Sequence, residues 1–429
     1  MSRIALRLGI LILVATFPCW CAPQAAPPSA AGPLPSAQVP AQTPAPAGRR
    51  LNLAAALDLA ERQNLDLAAA RLQHSVAQAG SRIAGEIPNP AVSLSATRDT
   101  PHETVLLDQP IEIGGQRSRR IDVARQGVAL TDVQIRAVEI QVRLNTREAF
   151  YAASLAYSRT AQLQDSLGLA QRLQEIAKAR FDAGDVPQLE VLQAELQVSR
   201  AQADVEVARQ QEYVSFSVLN ALLNEPAETV WDLSGSLENL PANVPLADLT
   251  SRARQANSDL QNLTQQLKVE QSRRALLRAE RIPTLDVSVG TSLDKPPDFQ
   301  SALVGGFSMA VPLFSRNQGE IAQSEASERF LDADLLATQR AVNGRVEQAY
   351  YALSAQQTQV NLFRTTVLPS GRQVESLAEE SYRAGKASLL SVLDAQSNVQ
   401  QIERAYLDSL FSLQSAFAQL EQIVGESLD

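Results

Sequence analysis

The sequence predicts a mainly α-helical chain with a small β part, in which one structural plan is repeated twice. Hydrophobic residues make up 45% of the 429 residues but aromatic residues only 5%, a composition typical of long helices packed through small side chains. The segment Asn64-Leu65-Asp66-Leu67 returns as Asn257-Ser258-Asp259-Leu260, and other segments return in the same order at similar offsets. Stretches of alternating polarity, bounded by prolines, interrupt the helical pattern once in each half.

The composition excludes several classes of function. The net charge of −9 and the pI near 5.1 argue against nucleic acid as a partner. With only 2 His, 2 Cys and 2 Met, the chain offers few ligands for a metal centre, and we predict no metal site and no cofactor. We find no Ser-His-Asp order, phosphate-binding loop or metal-ligand spacing. The isolated His74 and His102 are interpreted as surface or packing residues, so the chain is predicted not to be an enzyme.

The N-terminus has the pattern of an export signal. Residues 1–22 combine a basic start, Arg3 and Arg7, with a short apolar run and are predicted to be a signal peptide. Cys19 and Cys21 end this run, but the residues before them do not resemble a lipidation motif, so simple cleavage is favoured over lipidation. Residues 23–48 form a Pro/Ala-rich linker.

The body of the chain is divided into two repeats, 49–242 and 243–429. Each repeat begins with a helix, continues through two strands and ends with a long helix and a return helix. The predicted helices are 52–86, 117–181 and 187–224 in the first repeat and 247–281, 318–382 and 388–424 in the second. A helix of about 65 residues is about 100 Å long, which no compact globular core requires.

The strands have two chemically different faces. Val92, Leu94 and Ala96 alternate with polar residues in the first repeat, and Leu285, Val287 and Val289 do so in the second. The polar residues of these strands are Ser93, Ser95, Thr97, Asp286 and Ser288. The partner strands are predicted near 103–111 and 299–312, which gives four strands in all.

Four strands cannot close a barrel, and lipid does not tolerate an open sheet edge. If the hairpins enter a membrane, two chains would pool eight strands and three chains twelve, with the polar faces lining a wet lumen. The alternative is that the hairpins cap a soluble helical bundle.

The return helices carry apolar residues on more than one face. Val392, Ala395, Val399 and Ile402 follow the 3-4 spacing of a coiled coil, and residues 201 positions earlier follow the same spacing. Leu189, Leu192 and Leu196 lie off this seam. Such helices need neighbours on more than one side, and a wall of helices curved into a tube provides them.

Two segments resemble a known family. The end of the first hairpin, Gln109-Pro110-Ile111-Glu112-Ile113-Gly114-Gly115-Gln116-Arg117, and the turn Tyr382-Arg383-Ala384-Gly385 with Leu389-Leu390-Ser391-Val392-Leu393-Asp394-Ala395 are similar to the outer membrane factor (TolC-like) family. The resemblance covers about residues 50–425, and the Gly-Gly-Gln-Arg stretch resembles its heavy-metal cation (CzcC-like) subgroup. It implies long coiled-coil helices that form a periplasmic α-barrel, and a homotrimer whose shared twelve-stranded β-barrel lies in the lipid of a Gram-negative outer membrane. It also implies docking to a periplasmic adaptor protein and an inner-membrane pump of the resistance–nodulation–division class.

The function implied is that of an outer-membrane exit channel for heavy-metal cations. Channels for multidrug efflux or type I protein secretion are the alternative within the family. A secreted coiled-coil scaffold and a periplasmic enzyme are the alternatives outside it, but the first leaves the strands without a purpose and the second lacks a catalytic site.

The resemblance also implies a gate at the periplasmic helix tips. The family carries an Asp-Val-Leu-Asp pattern there, and the corresponding residues are Ser391-Val392-Leu393-Asp394 and Glu190-Val191-Leu192-Gln193. Asp394 would form one carboxylate ring and Glu190 a second, with Ser391 and Gln193 at the remaining positions, and such rings favour cations. The alternative is that both carboxylates are ordinary solvated helix residues.

The turns between long and return helices are predicted to be exposed tips that dock the adaptor. Small residues there allow a partner hairpin to approach closely. The residues assigned to this contact are Ala183, Gly184, Ala384 and Gly385, flanked by Arg180, Phe181, Tyr382 and Arg383.

Overall fold

The computed structural model describes residues 49–99, 101, 103–233, 237–240, 244–293 and 301–428, all within the compact unit Gly48–Asp429. The predicted signal peptide and linker, Cys19, Cys21 and His102 lie outside the described residues. The first repeat contains β1 (Arg49–Arg50), α1 (Leu53–Gln63), α2 (Leu65–Ala84), β2 (Ala91–Ala96), β3 (Glu103–Ile111), α3 (Gln116–Asp182), α4 (Gln188–Leu223) and β4 (Trp231–Asp232). The second contains α5 (Leu246–Ala256), α6 (Ser258–Ala279), β5 (Leu285–Leu293), β6 (Ser301–Met309), α7 (Gln318–Leu362), α8 (Leu368–Arg383) and α9 (Leu389–Val424).

The first helix predicted in each repeat is in fact two helices, because an asparagine ends one and begins the next. The side-chain oxygen of Asn64 accepts a hydrogen bond from the backbone N–H of Leu67 at 3.0 Å, and its amide donates to the carbonyl of Leu222 at 3.1 Å. Asn257 caps α6 in the same way and donates to the carbonyl of Ile423 at 2.7 Å. Both asparagines are buried. The repeated Asn motif therefore marks a helix cap that is tied to the end of the return helix.

The long helix of the second repeat is also interrupted. Where the sequence predicts one helix over 318–382, a π-helical turn, Phe363–Val367, separates α7 from α8. Pro369 follows this turn and cannot donate the backbone hydrogen bond that a continuous α-helix needs. The first repeat has no proline in the corresponding part of α3, which runs unbroken over 67 residues, or about 100 Å.

The predicted hairpins form one antiparallel sheet in the order β2-β3-β5-β6. The register pairs Val92 with Leu107, Leu107 with Val289 and Val289 with Gly305. Gly290 is required at its position, since a Cβ there would lie 1.9 Å from the carbonyl oxygen of Val105. The described residues also contain two strands that the sequence did not predict, β1 and β4, which pair in parallel.

The sheet register keeps the predicted polarity of the two faces, because paired residues of neighbouring strands point to the same side. One face is apolar and exposed, with Leu303 86% and Phe307 81% accessible. Its members include Val92, Leu94, Val105, Leu107, Val287, Val289, Leu303 and Phe307. The opposite face carries Ser93, Ser95, Thr104, Asp108, Asp286, Ser288, Ser292 and Ser308. Thr97, predicted with the polar set, lies just beyond the end of β2.

The helices pack side by side in two rows that share α3. Next to the sheet the order is α2, α3, α6 and α7; farther along α3 the order is α4, α3, α9 and α8. The main core lies where the two rows meet and is built around Phe150, Trp231, Leu249, Leu413 and Phe417. Within the described residues, no helix is both long enough and apolar enough to be a membrane span.

The Gly-Gly-Gln-Arg stretch joins the sheet to α3. Gly115 has φ = +72° at the start of the helix, and a Cβ on Gly114 would lie 2.7 Å from that of Ile282. The Gln116 amide is buried, accepts from the N–H of Gly114 at 2.9 Å and donates to the carbonyl of Ile282 at 2.6 Å. The motif therefore fixes the strand-to-helix junction of the first repeat against the second.

Candidate functional site: the paired helix tips

Each long hairpin of helices ends in a tight turn with glycine in the left-handed conformation. After α3, the N–H of Asp185 donates to the carbonyl of Arg180 at 2.9 Å, and Gly184 has φ = +83°. After α8, the N–H of Lys386 donates to the carbonyl of Ser381 at 2.9 Å, and Gly385 has φ = +70°. These bonds satisfy carbonyl groups left free at the helix ends, and glycine adopts the required φ without strain.

The four small residues predicted to dock a partner are exposed at these turns. They are Ala183, Gly184, Ala384 and Gly385. Arg383 is also exposed and forms an ion pair with Glu379 at 2.6 Å, one helical turn away. The turns therefore present a surface of low steric bulk, which is the geometry that the docking prediction needs.

The side chain of Tyr382 is buried, whereas the docking prediction places it beside an external contact. It is 0% exposed, because its ring is packed against α3 and α4, whereas Phe181 at the corresponding position of the first repeat is 41% exposed. Leu169, Leu173, Ala177, Ala194, Leu389 and Val392 surround it in a small core of its own. The prediction that Tyr382 flanks an external contact is therefore wrong, and its side chain instead joins the two hairpins from inside.

A polar contact crosses between the repeats at this buried ring. The Tyr382 hydroxyl donates a hydrogen bond to Oε2 of Glu190 at 3.2 Å. The guanidinium of Arg180 lies over the Tyr382 ring, 4.9 Å from its centre, and donates to the Tyr382 carbonyl at 3.5 Å. We call these three residues, Arg180, Glu190 and Tyr382, the tip latch. It connects α3 and α4 of the first repeat with the end of α8 in the second.

Burial keeps the hydroxyl of the latch protonated. Desolvation raises the pKa of Tyr382 above its ordinary value, and the negative charge of Glu190 raises it further. The neutral hydroxyl is the form that can donate to a carboxylate.

The other residues assigned to the gate lie at the start of the return helices. Asp394 and Gln193 are exposed, and their side chains make no hydrogen bond or ion pair to any described residue. The hydroxyl of Ser391 donates to the carbonyl of Ser388 at 2.7 Å, so it takes part in the first turn of α9. Glu190 is half-buried and already holds Tyr382. Asp394 is thus the carboxylate of this group whose side chain has no partner among the described residues.

Sequence reasoning missed the Tyr382–Glu190 contact, although a signal for it was present. At offset 201, Phe181 corresponds to Tyr382 and Glu190 corresponds to Ser391. The second repeat thus gains the phenol hydroxyl of Tyr382, and the first repeat gains the carboxylate of Glu190. Within the described residues, no group of three His, Cys, Asp or Glu side chains is placed to hold a metal ion.

The family pattern of outer membrane efflux proteins matches residues 56–225 and 249–426, one segment in each repeat. The chain belongs to the outer membrane efflux protein family. It is therefore an efflux channel of the outer membrane with a helical part in the periplasm, and not an enzyme.

Two relatives are named for metal resistance. The cobalt-zinc-cadmium resistance protein CzcC of Cupriavidus metallidurans is 28% identical over 398 residues, which cover 89% of this chain and 92% of CzcC. The nickel-cobalt-cadmium resistance protein NccC of Alcaligenes xylosoxydans xylosoxydans is 27% identical over 222 residues, which cover 51% of this chain and 49% of NccC.

The fold of this efflux protein is that of solved channels. The structure of CusC, reported for its conformational changes during transmembrane channel formation, superposes with a TM-score of 0.69 at 18% identity and covers 89% of this chain and 94% of CusC. The prediction of a TolC-like fold, with long helices, few strands and an internal repeat, is confirmed.

Proposed function

We propose that this efflux protein is the exit channel of a tripartite system that exports heavy-metal cations across the outer membrane. The observation that carries the proposal is its similarity to CzcC over nearly the full length of both chains. The similarity to NccC, also named for metal resistance, supports the same class of substrate. The channel supplies no chemistry or energy, so the proposal includes an inner-membrane pump of the resistance–nodulation–division class and a periplasmic adaptor.

The sheet supports assembly from several copies. Its apolar face fits lipid and its polar face fits a wet lumen, yet the outer strands β2 and β6 have no further partner within the described chain. Unpaired edges are not tolerated in lipid, so β2 of one copy must pair with β6 of another. A homotrimer would close twelve strands in this way, which is a size seen for outer-membrane barrels.

The helices support the same assembly. One lateral edge of the chain consists of α2 and α4 and the other of α7 and α8. Both edges carry exposed apolar side chains: Leu65, Leu72, Val76, Leu189, Leu192 and Leu196 on the first, and Phe330, Leu336, Leu362, Val374 and Leu377 on the second. Because the two edges differ, they join head to tail, and such contacts form a ring when the rotation between copies closes. The Leu residues predicted to need a second neighbour lie on the first of these edges.

At the periplasmic end, the helix tips form the gate in this proposal. Three copies of Asp394 near the axis give a ring of negative charge that favours cations, with Gln193 and Ser391 beside it. Glu190 acts through the tip latch, which holds each second-repeat hairpin against the first.

The exposed turns dock the adaptor in this proposal. Gly385→Trp places a bulky side chain on the exposed turn. A Cβ on residue 385 would lie 4.0 Å from Nη2 of Arg180, an ordinary contact, but φ = +70° strains any side chain there, so membrane assembly is measured beside export. We expect loss of export while the protein still reaches the membrane as an oligomer. Normal export by this variant would remove the turn from the docking surface.

The experiment that tests the whole proposal is a survival assay with a bacterial strain in which the gene for this protein has been deleted. We expect growth to fail on cobalt, zinc, cadmium or copper at concentrations that the parent tolerates, and the intact chain to restore growth. Unchanged metal tolerance, together with sensitivity to drugs or failure to secrete a protein, would replace metal export by one of the alternatives. The mass of the purified oligomer tests the homotrimer separately.

A further inference from the structure

The chain crosses between the sheet and the helices four times, and each crossing carries the same kind of side-chain pair. An exposed apolar residue lies within four positions of an exposed arginine. The pairs are Ile83 with Arg82, Ile113 with Arg117, Ile282 with Arg281, and Phe314 with Arg316. Phe314 is 92% exposed, which is a large cost for an aromatic side chain in water.

The apolar residues continue the lipid-facing surface of the sheet. The last paired row of that face contains Ile111, Leu285 and Met309. Beyond it, Ile113, Ile282, Val311 and Phe314 remain 46–92% exposed. The apolar surface therefore extends past the ends of the strands before the arginines begin.

The four arginines have no acidic partner among the described residues. Arg117 donates from Nε to the carbonyl of Gly85 at 2.7 Å, and Arg316 donates from Nε to the carbonyl of Pro312 at 3.0 Å. These bonds hold each guanidinium and leave its terminal nitrogens available. The side chains of Arg82 and Arg281 make no hydrogen bond or ion pair to a described residue. Nearby arginines behave differently, since Arg120 pairs with Glu112 and Arg278 with Glu325.

Some negative charge lies on the same crossings. Glu86, Glu280 and Glu320 are exposed there. Partial burial, followed by the charge of Glu320, raises the pKa of Glu280, whereas the charge of Arg120 lowers it. Neither Glu280 nor Glu320 contacts any of the four arginines as an ion pair in the described chain.

We infer that Arg82, Arg117, Arg281 and Arg316 form a collar that binds the phosphate groups of phospholipids in the periplasmic leaflet. The inference rests on insertion of the sheet in the outer membrane and is independent of the exported compound. Where an apolar surface ends at a lipid interface, arginine stems lie along the hydrocarbon and the guanidinium reaches the head groups. Guanidinium binds phosphate with paired hydrogen bonds, and net positive charge favours anionic lipid.

The test uses the whole chain, purified and placed in nanodiscs with equal amounts of phosphatidylglycerol and phosphatidylcholine. The lipid that stays bound after release from the disc is identified by native mass spectrometry. We expect phosphatidylglycerol to be enriched, and each Arg→Gln change in the collar to weaken its binding about fivefold. A matched control changes Arg172, Arg200, Arg340 and Arg404 to Gln, because these four are exposed, lie within α3, α4, α7 and α9 and have no acidic partner in the described chain.

The outcomes separate the collar from general effects of charge. The collar variant changes all four collar arginines to Gln. Loss of phosphatidylglycerol enrichment in this variant supports the inference, provided that enrichment is kept in the control and in a variant with all four arginines changed to Lys. No enrichment in the unaltered chain, or equal losses in collar and control variants, overturns it. The single change Arg316→Gln is measured as well, so that the inference stays testable if the fourfold variant fails to assemble.

Discussion

Removing one hydroxyl group should loosen the periplasmic tip. Tyr382→Phe keeps the buried ring and its contact with Arg180 but deletes the donor that lies 3.2 Å from Glu190. A hydrogen bond to a charged group contributes about 1.5–3 kcal/mol when both partners are buried, and because Glu190 is half-exposed we expect about 1 kcal/mol per tip. If the three tips of the proposed trimer open together, loss of the three hydrogen bonds lowers the free energy of opening by about 3 kcal/mol. The open fraction then rises on the order of 100-fold.

The assay is the resting conductance of single channels in a planar bilayer. We expect the variant to spend far more time in conducting states than the unaltered chain does. Tyr213→Phe is the matched control, since Tyr213 is 61% exposed and its hydroxyl makes no hydrogen bond to a described residue. Equal resting conductance in the two variants would refute the assignment of the latch.

The same contact predicts how the tip responds to pH. The pKa of Tyr382 is raised by burial and by Glu190, so the folded tip binds this proton more tightly than the unfolded chain does. Its stabilisation is complete below the ordinary tyrosine value near 10 and is lost only as the pH rises through the raised value. Resting conductance due to the latch should therefore be constant from neutral to mildly alkaline pH.

Three further predictions test other parts of the chain. Gly290→Ala should disrupt the pairing of β3 with β5, because its Cβ would meet the Val105 carbonyl, whereas Gly306→Ala has open space; the heat-dependent mobility of the folded protein on gels measures both. Asn257→Ala removes the cap of α6 and the donor to Ile423, which should lower the free energy of unfolding by about 2 kcal/mol in denaturant titrations. Asp394→Ala should reduce the preference for cations over anions in reversal-potential measurements, and an unchanged preference would remove Asp394 from the gate.

Much of the fold follows from local patterns in the sequence. The ends of α3, α4 and α9 lie within one or two residues of the predicted positions, because glycine, proline, the left-handed Asn224 and the cap Ser388 mark them through local backbone geometry. The two faces of the sheet were predictable for the same reason, since period-two alternation depends only on neighbouring residues.

The features that sequence reasoning missed depend on distant partners. Asn64 ends a helix because its amide reaches the carbonyl of Leu222, 158 residues away, and nothing near Asn64 in the sequence reveals that contact. The Gly-Gly-Gln-Arg stretch resembles the metal subgroup, yet the side-chain amide of Gln116 donates to the carbonyl of Ile282 in the other repeat. Its residues serve the junction between sheet and helix, so the motif alone carries little information on the exported substrate.

The divergence between the repeats explains why the latch occurs once in each chain. Two identical repeats would place either two tyrosines or two phenylalanines at the tips, with the same partner beside each. Here the first repeat supplies Glu190 and the second supplies Tyr382, while Phe181 and Ser391 occupy the reciprocal positions. The donor and the acceptor therefore meet at one of the two possible contacts, where Tyr382 is buried, and the exposed Phe181 has no hydroxyl to form the other. The break between α7 and α8 lies in the second repeat, which also supplies Tyr382. The second-repeat hairpin thus combines a break in its long helix with a tip held by one polar contact, and this combination makes Tyr382→Phe the sharpest test of the gate.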